Sequence, residues 1–320
     1  MKPTLVMGGS AEGLDDNDWS GQSDYFEYTR AANPVGSGHI PPVAMDRFPA
    51  ARHQAISTGI IPFDLSEQMA ITTGPATSPA LLASFIRIAP GESVDTAPVA
   101  TSELYYVIAG AGTSVVNGRE LNWDTGDFFV LPANSLSKHC ASSDTTMYWV
   151  NDEPLLKYLG VAPTHSRFEA TRFPADRVKA ELADVENSPR ATDRNRLAVL
   201  LNTTPNDITQ TVTHVLWAMC GLLPVGAVQR PHRHQSVALD LVGACAPGCY
   251  TLVGRSVDKY GDIVHPQRVD WEPHSAFVTP PGLWHAHFNE SGEQAWIIPI
   301  QDAGLQTYLR SLDIRFSTSK

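Results

Sequence analysis

The sequence predicts an all-β protein built from two related β regions. Short apolar runs separated by Gly, Asn and Pro turn signals begin near Ala80 and return from about Val212, as expected of antiparallel strands. A segment with helical spacing, FPADRVKAELADVENSP, lies between the two regions. The strand pattern, its repetition and the single helical segment together predict two tandem β-barrels joined by a short helical connector.

Four segments follow from this pattern. Residues 1–79 are rich in Gly, Pro, Asp and Ser and predict an irregular N-terminal arm. Residues 80–152 predict the first barrel, where Asn117–Gly118 between alternating runs signals a hairpin. Residues 153–211 predict the connector with its helix. Residues 212–320 predict the second barrel and a tail that forms a short amphipathic helix or a docking segment.

The bulk composition narrows the class of protein. The chain has 320 residues, is 42% hydrophobic and carries a net charge of −11, which argues against nucleic acid and anionic membranes as partners. No apolar run is long enough for a transmembrane helix, and the N-terminus turns acidic before an apolar stretch develops, unlike a signal peptide. The 4 cysteines are too few for a disulfide scaffold, so we expect a reducing, cytoplasmic setting. Cys245 and Cys249 predict two ordinary thiols, with a metal or redox role as the alternative.

Two histidine motifs carry the chemistry. His232 and His234 are two residues apart, so on a strand both imidazoles project from the same face. His285, about fifty residues later, can add a third imidazole from a neighbouring strand. Three neutral imidazoles leave coordination positions free on a divalent metal. The pattern therefore predicts an active metal centre rather than a structural zinc site, which four protein ligands would close.

The two β regions are internal repeats. Residues 121–140 align without a gap on residues 269–288, and residues 90–99 align on residues 225–234. The downstream pairs are Trp123 with Trp271, Ser137 with His285 and His139 with His287. The upstream pairs are Ala97 with His232 and Val99 with His234. The first copy thus lacks the three histidines, and the metal is predicted in the second barrel alone.

These residues resemble the two signature motifs of the cupin superfamily. Residues 226–234 match the G-x₅-H-x-H part of the first motif, and residues 274–289 match the second motif except that His274 replaces its leading glycine. The glutamate of the first motif is absent from the second copy, whereas the first copy keeps it as Glu103. The resemblance implies two antiparallel jelly-roll barrels in one chain, a bicupin.

Three histidines without a glutamate resemble the ferrous bicupins that open the rings of gentisate, salicylate or 1-hydroxy-2-naphthoate. By this resemblance His232, His234 and His285 are the metal ligands, and His287 is a nearby catalytic group that acts as an acid, a base or a hydrogen-bonding partner. The metal expected is Fe(II), with Zn, Mn, Ni or Cu as alternatives. The resemblance also implies a homo-oligomer.

A substrate carboxylate requires a cation, for which a forked guanidinium is well suited. Strand alternation turns Arg233 outward, because it lies between two inward histidines. Arg230, which shares the parity of His232, and Arg255 on the next strand are then the candidates near the motifs. We therefore predict catalytic or binding roles for His287, Arg230 and Arg255.

The function predicted is a metal-dependent, gentisate-like ring-cleaving dioxygenase that acts on a hydroxylated aromatic carboxylate and O₂. The alternative is a cupin isomerase, lyase, cyclase or hydrolase that uses its metal as a Lewis acid. A non-catalytic binding protein of the storage type is disfavoured, because such cupins usually lose the ligands in both copies.

Overall fold

The computed structural model describes residues 19–191 and 194–317. The chain divides into two compact units, Met1–Ile40 and Pro41–Lys320. In the first unit, helix α1 (Tyr28–Ala31) begins after Glu27, whose carboxylate accepts the backbone N–H groups of Thr29 and Arg30. Such a cap satisfies N–H groups that lack partners within the helix.

The second unit is composed mainly of antiparallel strands. The strands are β1 (Arg47–Phe48), β2 (Gly59–Pro62), β3 (Leu82–Ile88), β4 (Ser93–Thr96), β5 (Ser102–Ala109), β6 (Ala111–Val116), β7 (Arg119–Asp124), β8 (Phe128–Pro132), β9 (Ser137–Ala141), β10 (Thr145–Asn151), β11 (Thr171–Phe173), β12 (Leu197–Leu200), β13 (Trp217–Leu223), β14 (Val228–Arg233), β15 (Ala238–Ala244), β16 (Cys249–Gly254), β17 (Gln267–Asp270), β18 (Ala276–Thr279), β19 (Trp284–Asn289), β20 (Ala295–Gln301) and β21 (Arg315–Phe316). The helices of this unit are α2 (Ala50–Gln54), α3 (Glu153–Leu159), α4 (Ala175–Glu186) and α5 (Ala303–Tyr308).

Each barrel consists of two sheets. The first barrel combines a 6-stranded sheet in the order β11-β8-β5-β10-β3-β2 with a 4-stranded sheet in the order β4-β9-β6-β7. The second combines a 6-stranded sheet in the order β1-β18-β15-β20-β13-β12 with a 5-stranded sheet in the order β17-β16-β19-β14-β21. The predicted fold class, two tandem antiparallel jelly-roll barrels, is confirmed.

Strand alternation divides the apolar residues among three cores. On β5, Tyr105 and Val107 face the interior of the first barrel, whereas Leu104 and Ile108 face the opposite side. That opposite side contributes to a large core formed by the two 6-stranded sheets, in which Leu104 belongs to the same cluster as Leu239 of the second barrel. The apolar cluster inside the second barrel is smaller than that inside the first and lies at one end, which leaves the other end for polar groups.

Local sequence signals account for several elements. Asn117 and Gly118 have φ angles of 48° and 80° and join β6 to β7 in the predicted hairpin, because a two-residue turn of this kind needs positive φ at both positions. Helix α4 (Ala175–Glu186) lies where the helical spacing predicted it.

Segments outside the predicted barrels supply edge strands. Strands β1 and β2 come from the predicted arm, and β11 and β12 come from the predicted connector. The division of the chain into four segments stays a prediction. Cys245 and Cys249 are free thiols. In the described part of the chain, no helix has the length and apolar character needed to span a membrane.

Candidate metal centre

Three histidines converge at the polar end of the second barrel. His232 lies on β14 directly opposite His285 on β19, and His234 follows β14 by one residue. Their ligand nitrogen atoms all lie within 4.8 Å of one another. All three side chains are buried. The strand pairing therefore brings together the three imidazoles that the sequence predicted as metal ligands.

Backbone carbonyls fix which nitrogen of each ring faces the centre. The Nδ1 atoms lie 2.9–3.1 Å from main-chain oxygens: His232 from Arg230 O, His234 from Ser236 O and His285 from Leu283 O. A carbonyl oxygen only accepts, so each Nδ1 carries the proton and each Nε2 presents a lone pair. This is the tautomer that a metal ligand requires.

Burial keeps these rings neutral. Removal from water lowers the pKa of His234 to about 4 and holds the pKa values of His232 and His285 well below the usual value. The neighbouring imidazoles and the guanidinium of Arg196 lower the pKa of His232 and His285 further. A divalent cation would therefore not have to displace protons from the ligands near neutral pH.

A fourth imidazole beside the triad has the opposite tautomer. The indole N–H of Trp271 donates to Oγ1 of Thr251 (2.8 Å), which lies 2.8 Å from Nδ1 of His287. The indole only donates, so among the contacts of this hydroxyl Nδ1 is the group that can accept its proton, and we place the proton there. His287 then carries its own proton on Nε2. Its ring centroid lies 5.7 Å from that of His285.

Arg196 is a half-buried residue whose guanidinium group is withdrawn from water and supplies a positive charge at this site. Its Nη2 lies 3.1 Å from Nε2 of His232, its Nε donates to Gln229 Oε1 (3.2 Å), and its Nη1 lies 3.2 Å from the sulfur of Met219. Within residues 19–191 and 194–317, no carboxylate oxygen forms an ion pair with this guanidinium. Buried charges are normally paired, so an unpaired buried guanidinium indicates a place for an anion.

A buried carboxylate lies farther into the same barrel. Asp240 accepts a hydrogen bond from Thr279 Oγ1 at 2.7 Å, and burial raises its pKa to about 6. Arg196 opposes that rise through its charge. Asp240 thus balances part of the positive potential without forming a direct ion pair.

A cavity of about 220 Å³ opens beside the triad. Polar groups on its lining include Arg196, His232 and His234, and the apolar part includes Trp217, Ile314 and Phe316. An apolar pocket with a few convergent polar groups is typical of a small-molecule site.

Comparison with known proteins gives the same architecture. No family model matches the chain. A 5-aminosalicylate 1,2-dioxygenase from Comamonas sp is 34% identical over 140 residues, which are 40% of this chain and 37% of that protein. The match thus spans little more than a third of the relative's length.

Solved structures match over most of the chain. A salicylate 1,2-dioxygenase from Pseudaminobacter salicylatoxidans superposes with a TM-score of 0.69 and 12% identity, covering 95% of this chain and 99% of that one. The same enzyme with gentisate gives a TM-score of 0.67 and 12% identity, covering 91% and 90%.

The fold is that of a bicupin. The two barrels differ at the positions that correspond to the predicted metal ligands. Strand β4 pairs with β9 so that Thr96 lies opposite Ser137, as His232 lies opposite His285. The gap-free alignment, which placed Ala97 against His232, is therefore wrong by one residue.

A β-bulge explains the shift. The pairing of β14 with β19 changes register between Gln229, opposite His287, and His232, opposite His285. The extra residue breaks strict alternation, so Gln229 and His232 both face inward and Arg230 is exposed. A bulge leaves no clear mark in a single sequence.

The two arginines predicted near the motifs are not brought to the cavity. Arg230 contacts Asn195 through its backbone N–H and its Nε, and Arg255 is exposed. Arg196 occupies the place expected of a carboxylate-binding cation. It lies in the predicted connector, and the signal that could have identified it is its position immediately before the apolar run Leu197–Leu200.

The donor set suits ferrous iron. Three converging Nε2 lone pairs, each fixed by a carbonyl on the other ring nitrogen, form a facial set of the kind that non-haem iron and related divalent metals accept. His232, His234 and His285 would hold the metal. His287, with its proton on Nε2, would remain beside it as a donor.

Proposed function

We propose that this bicupin is an iron(II)-dependent dioxygenase that opens the ring of an aromatic acid carrying a hydroxyl group next to its carboxylate. The observation that carries the proposal is the pairing of three unprotonated Nε2 atoms with one unpaired buried guanidinium at one cavity. The names of the relative and of the solved structures support the same substrate class.

Substrate binding would use complementary charge. Three neutral imidazoles leave the full charge of a divalent ion uncompensated, and Arg196 adds a further positive charge in a buried setting. An anionic hydroxy acid would neutralise this potential, and its carboxylate would accept a hydrogen bond from Arg196. In this bound state, Arg196 would exchange its present contact with His232 for the carboxylate.

Each side chain then has a defined task. Trp217 and Phe316 would enclose an aromatic ring and exclude water. His287 would hold its proton at Nε2 and donate a hydrogen bond to an oxygen atom of the reacting groups. When bound, ferrous iron would supply the one-electron chemistry that couples an electron-rich ring to dioxygen. Both atoms of O₂ would enter the product, so no external reductant is needed.

Oxygen consumption by the iron-loaded protein tests the proposal. The protein is loaded with Fe(II) under anaerobic conditions and mixed with oxygenated buffer containing salicylate. We expect equimolar uptake of O₂ and loss of salicylate. Benzoate, which lacks the hydroxyl group, and 3-hydroxybenzoate, which cannot chelate through neighbouring groups, are the matched controls and should cause no uptake.

Labelling and metal replacement separate this function from its alternative. With ¹⁸O₂, two labelled atoms should appear in the ring-opened product. The zinc-loaded protein should be inactive. Turnover of an aromatic hydroxy acid without oxygen, or with zinc in place of iron, would instead identify Lewis-acid chemistry.

A further inference from the structure

The C-terminal tail returns to the metal-binding strand. After α5 the chain reverses, and β21 pairs antiparallel with β14 so that Phe316 lies opposite His232. The backbone N–H of Ser317 donates to Pro231 O at 2.8 Å, and that of Asp313 donates to Gln235 Oε1 at 2.6 Å. The tail is therefore an edge strand directly beside a predicted metal ligand.

Two apolar tail residues face the cavity. Phe316 stacks on the ring of His232, with centroids 5.7 Å apart and planes 25° from parallel, and it joins Ile314 in the lining of the cavity. Phe316 is half-exposed although large apolar rings are usually buried. Arg315 between them is exposed and pairs with Asp313 at 2.5 Å, as strand alternation requires.

We propose that this tail is a wall of the substrate pocket and that Phe316 determines how large a ring system the pocket accepts. The inference rests on the proposed function for its substrate class. In a cavity of about 220 Å³, a phenyl ring stacked beside a ligand imidazole takes up space that a second fused ring of the substrate would need. A fused benzo ring adds four carbon atoms, whereas replacing Phe by Ala removes six.

Direct binding measurements test the wall. Salicylate and 1-hydroxy-2-naphthoate are titrated calorimetrically, without oxygen, into the Fe(II)-loaded wild type, Phe316→Ala and Phe316→Trp. We expect Phe316→Ala to shift the affinity ratio towards the naphthoate by at least about tenfold, the scale of a hydrophobic pocket contact. Phe316→Trp should shift the ratio in the opposite direction. Arg315→Ala, on the outer face of the same strand, should keep the wild-type ratio.

Iron content is measured for every variant. If Phe316→Ala loses iron because its ring supports His232, Ile314→Ala replaces it, since Ile314 lines the cavity without a ring contact to a ligand. The inference is overturned if the ratio of the two affinities is unchanged in the iron-loaded variants. These are Phe316→Ala or Ile314→Ala, which enlarge the pocket, and Phe316→Trp, which reduces it.

A second measurement does not depend on the substrate class. If neither acid binds to the wild type, the proposed function fails. The role of the tail is then tested by the rate at which two chelators remove Fe(II): the small 2,2′-bipyridine and the bulky bathophenanthroline disulfonate. Phe316→Ala should accelerate removal by the bulky chelator at least about tenfold more than removal by the small one. Equal acceleration, or none, contradicts a wall at this position.

Discussion

The two barrels contain the same chain of hydrogen bonds but end it differently. In the first barrel, Trp123 donates to Ser114, which contacts Nδ1 of His139. In the second, Trp271 donates to Thr251, which contacts Nδ1 of His287. Both arrangements place a proton on Nε2 of the histidine. The relay is thus part of the repeated scaffold and not by itself a sign of catalysis.

The two barrels differ in the contacts made by Nε2 of this histidine. In the first, Nε2 of His139 contacts Thr96, Thr96 contacts the hydroxyl of Tyr105, and Tyr105 donates to Glu103 at 2.6 Å. His139, Thr96 and Tyr105 each find a partner within the protein, and Tyr105 stacked on Phe129 fills the interior. In the second barrel, the ring of His287 lies 6.0 Å from that of His232 and 5.7 Å from that of His285, two of the predicted metal ligands. The first barrel thus completes the network with protein groups, whereas Nε2 of His287 has no hydrogen-bond partner among the described residues, as the proposed function requires.

The largest expected effect tests whether the metal is confined to one barrel. His232→Ala, His234→Ala and His285→Ala should each reduce bound metal to near zero, because two imidazoles hold a divalent ion poorly. Elemental analysis of protein purified without added metal measures this loss. His139→Ala in the first barrel is the control and should retain the wild-type metal content. Full metal occupancy in all three variants would contradict the assignment of these histidines as metal ligands.

The next effect tests whether His287, at the end of the hydrogen-bond chain from Trp271 through Thr251, takes part in catalysis. His287→Ala should keep the metal but lose about 10²- to 10⁴-fold in turnover, the usual range for a group that positions or transfers a proton. Steady-state oxygen uptake measures it. Thr251→Val, which removes the hydroxyl that orients the ring, should show a smaller loss of the same kind. Normal turnover in His287→Ala would show that this hydrogen-bond chain has only a structural role, like that of the first barrel.

A smaller effect tests the charge of Arg196 in the second barrel. Arg196→Met should retain metal and reduce kcat/KM by roughly 30- to 1000-fold, which corresponds to about 2–4 kcal/mol for loss of a buried charge partner. The loss should be larger for salicylate than for an uncharged phenol. Arg255→Met, at an exposed position, should change kcat/KM by less than about twofold. Equal losses in both variants would contradict a carboxylate contact at Arg196.

The last effect, on stability and not on turnover, concerns the hydrogen-bond network of the first barrel. Burial raises the pKa of Glu103 to about 8. The folded protein thus keeps a proton that the unfolded chain releases near the ordinary value of 4.5, so folding takes up a proton between these pH values. Stability is complete below the lower value and declines through this window by up to about 1.4 kcal/mol per pH unit.

Glu103→Gln removes this linkage, because glutamine mimics the protonated acid. Urea unfolding at pH 5 and pH 8 should show the variant gaining stability relative to the wild type as pH rises. Glu120→Gln, on an exposed part of the same barrel, is the control. A difference that stays constant with pH would contradict a buried, protonated Glu103.

Periodicity and motif spacing predicted the parts of this molecule that depend on local sequence. The His232–His234 spacing and the motif around His285 placed three imidazoles on one end of one barrel, because strand alternation and pairing are nearly fixed by such patterns. The hairpin at Asn117–Gly118 followed from turn chemistry. These features need only neighbours in sequence, or two strands that pair.

The remaining parts of the site depend on contacts that no local pattern encodes. Arg196 reaches His232 from the connector, and Phe316 reaches it from the last strand. The bulge before His232 turned Arg230 outward and so reversed its predicted direction. Such placements depend on which segments pair as edge strands and on where a β-bulge shifts the register. Alternation along a single strand reveals neither.

The core shared by the two 6-stranded sheets limits how this molecule could be shortened. Leu104 and Leu239, from different barrels, belong to a single apolar cluster. Removing the first barrel to shorten the protein would expose that apolar surface to water and promote aggregation. Such a truncation would first require polar substitutions at the apolar positions of the second barrel that become exposed.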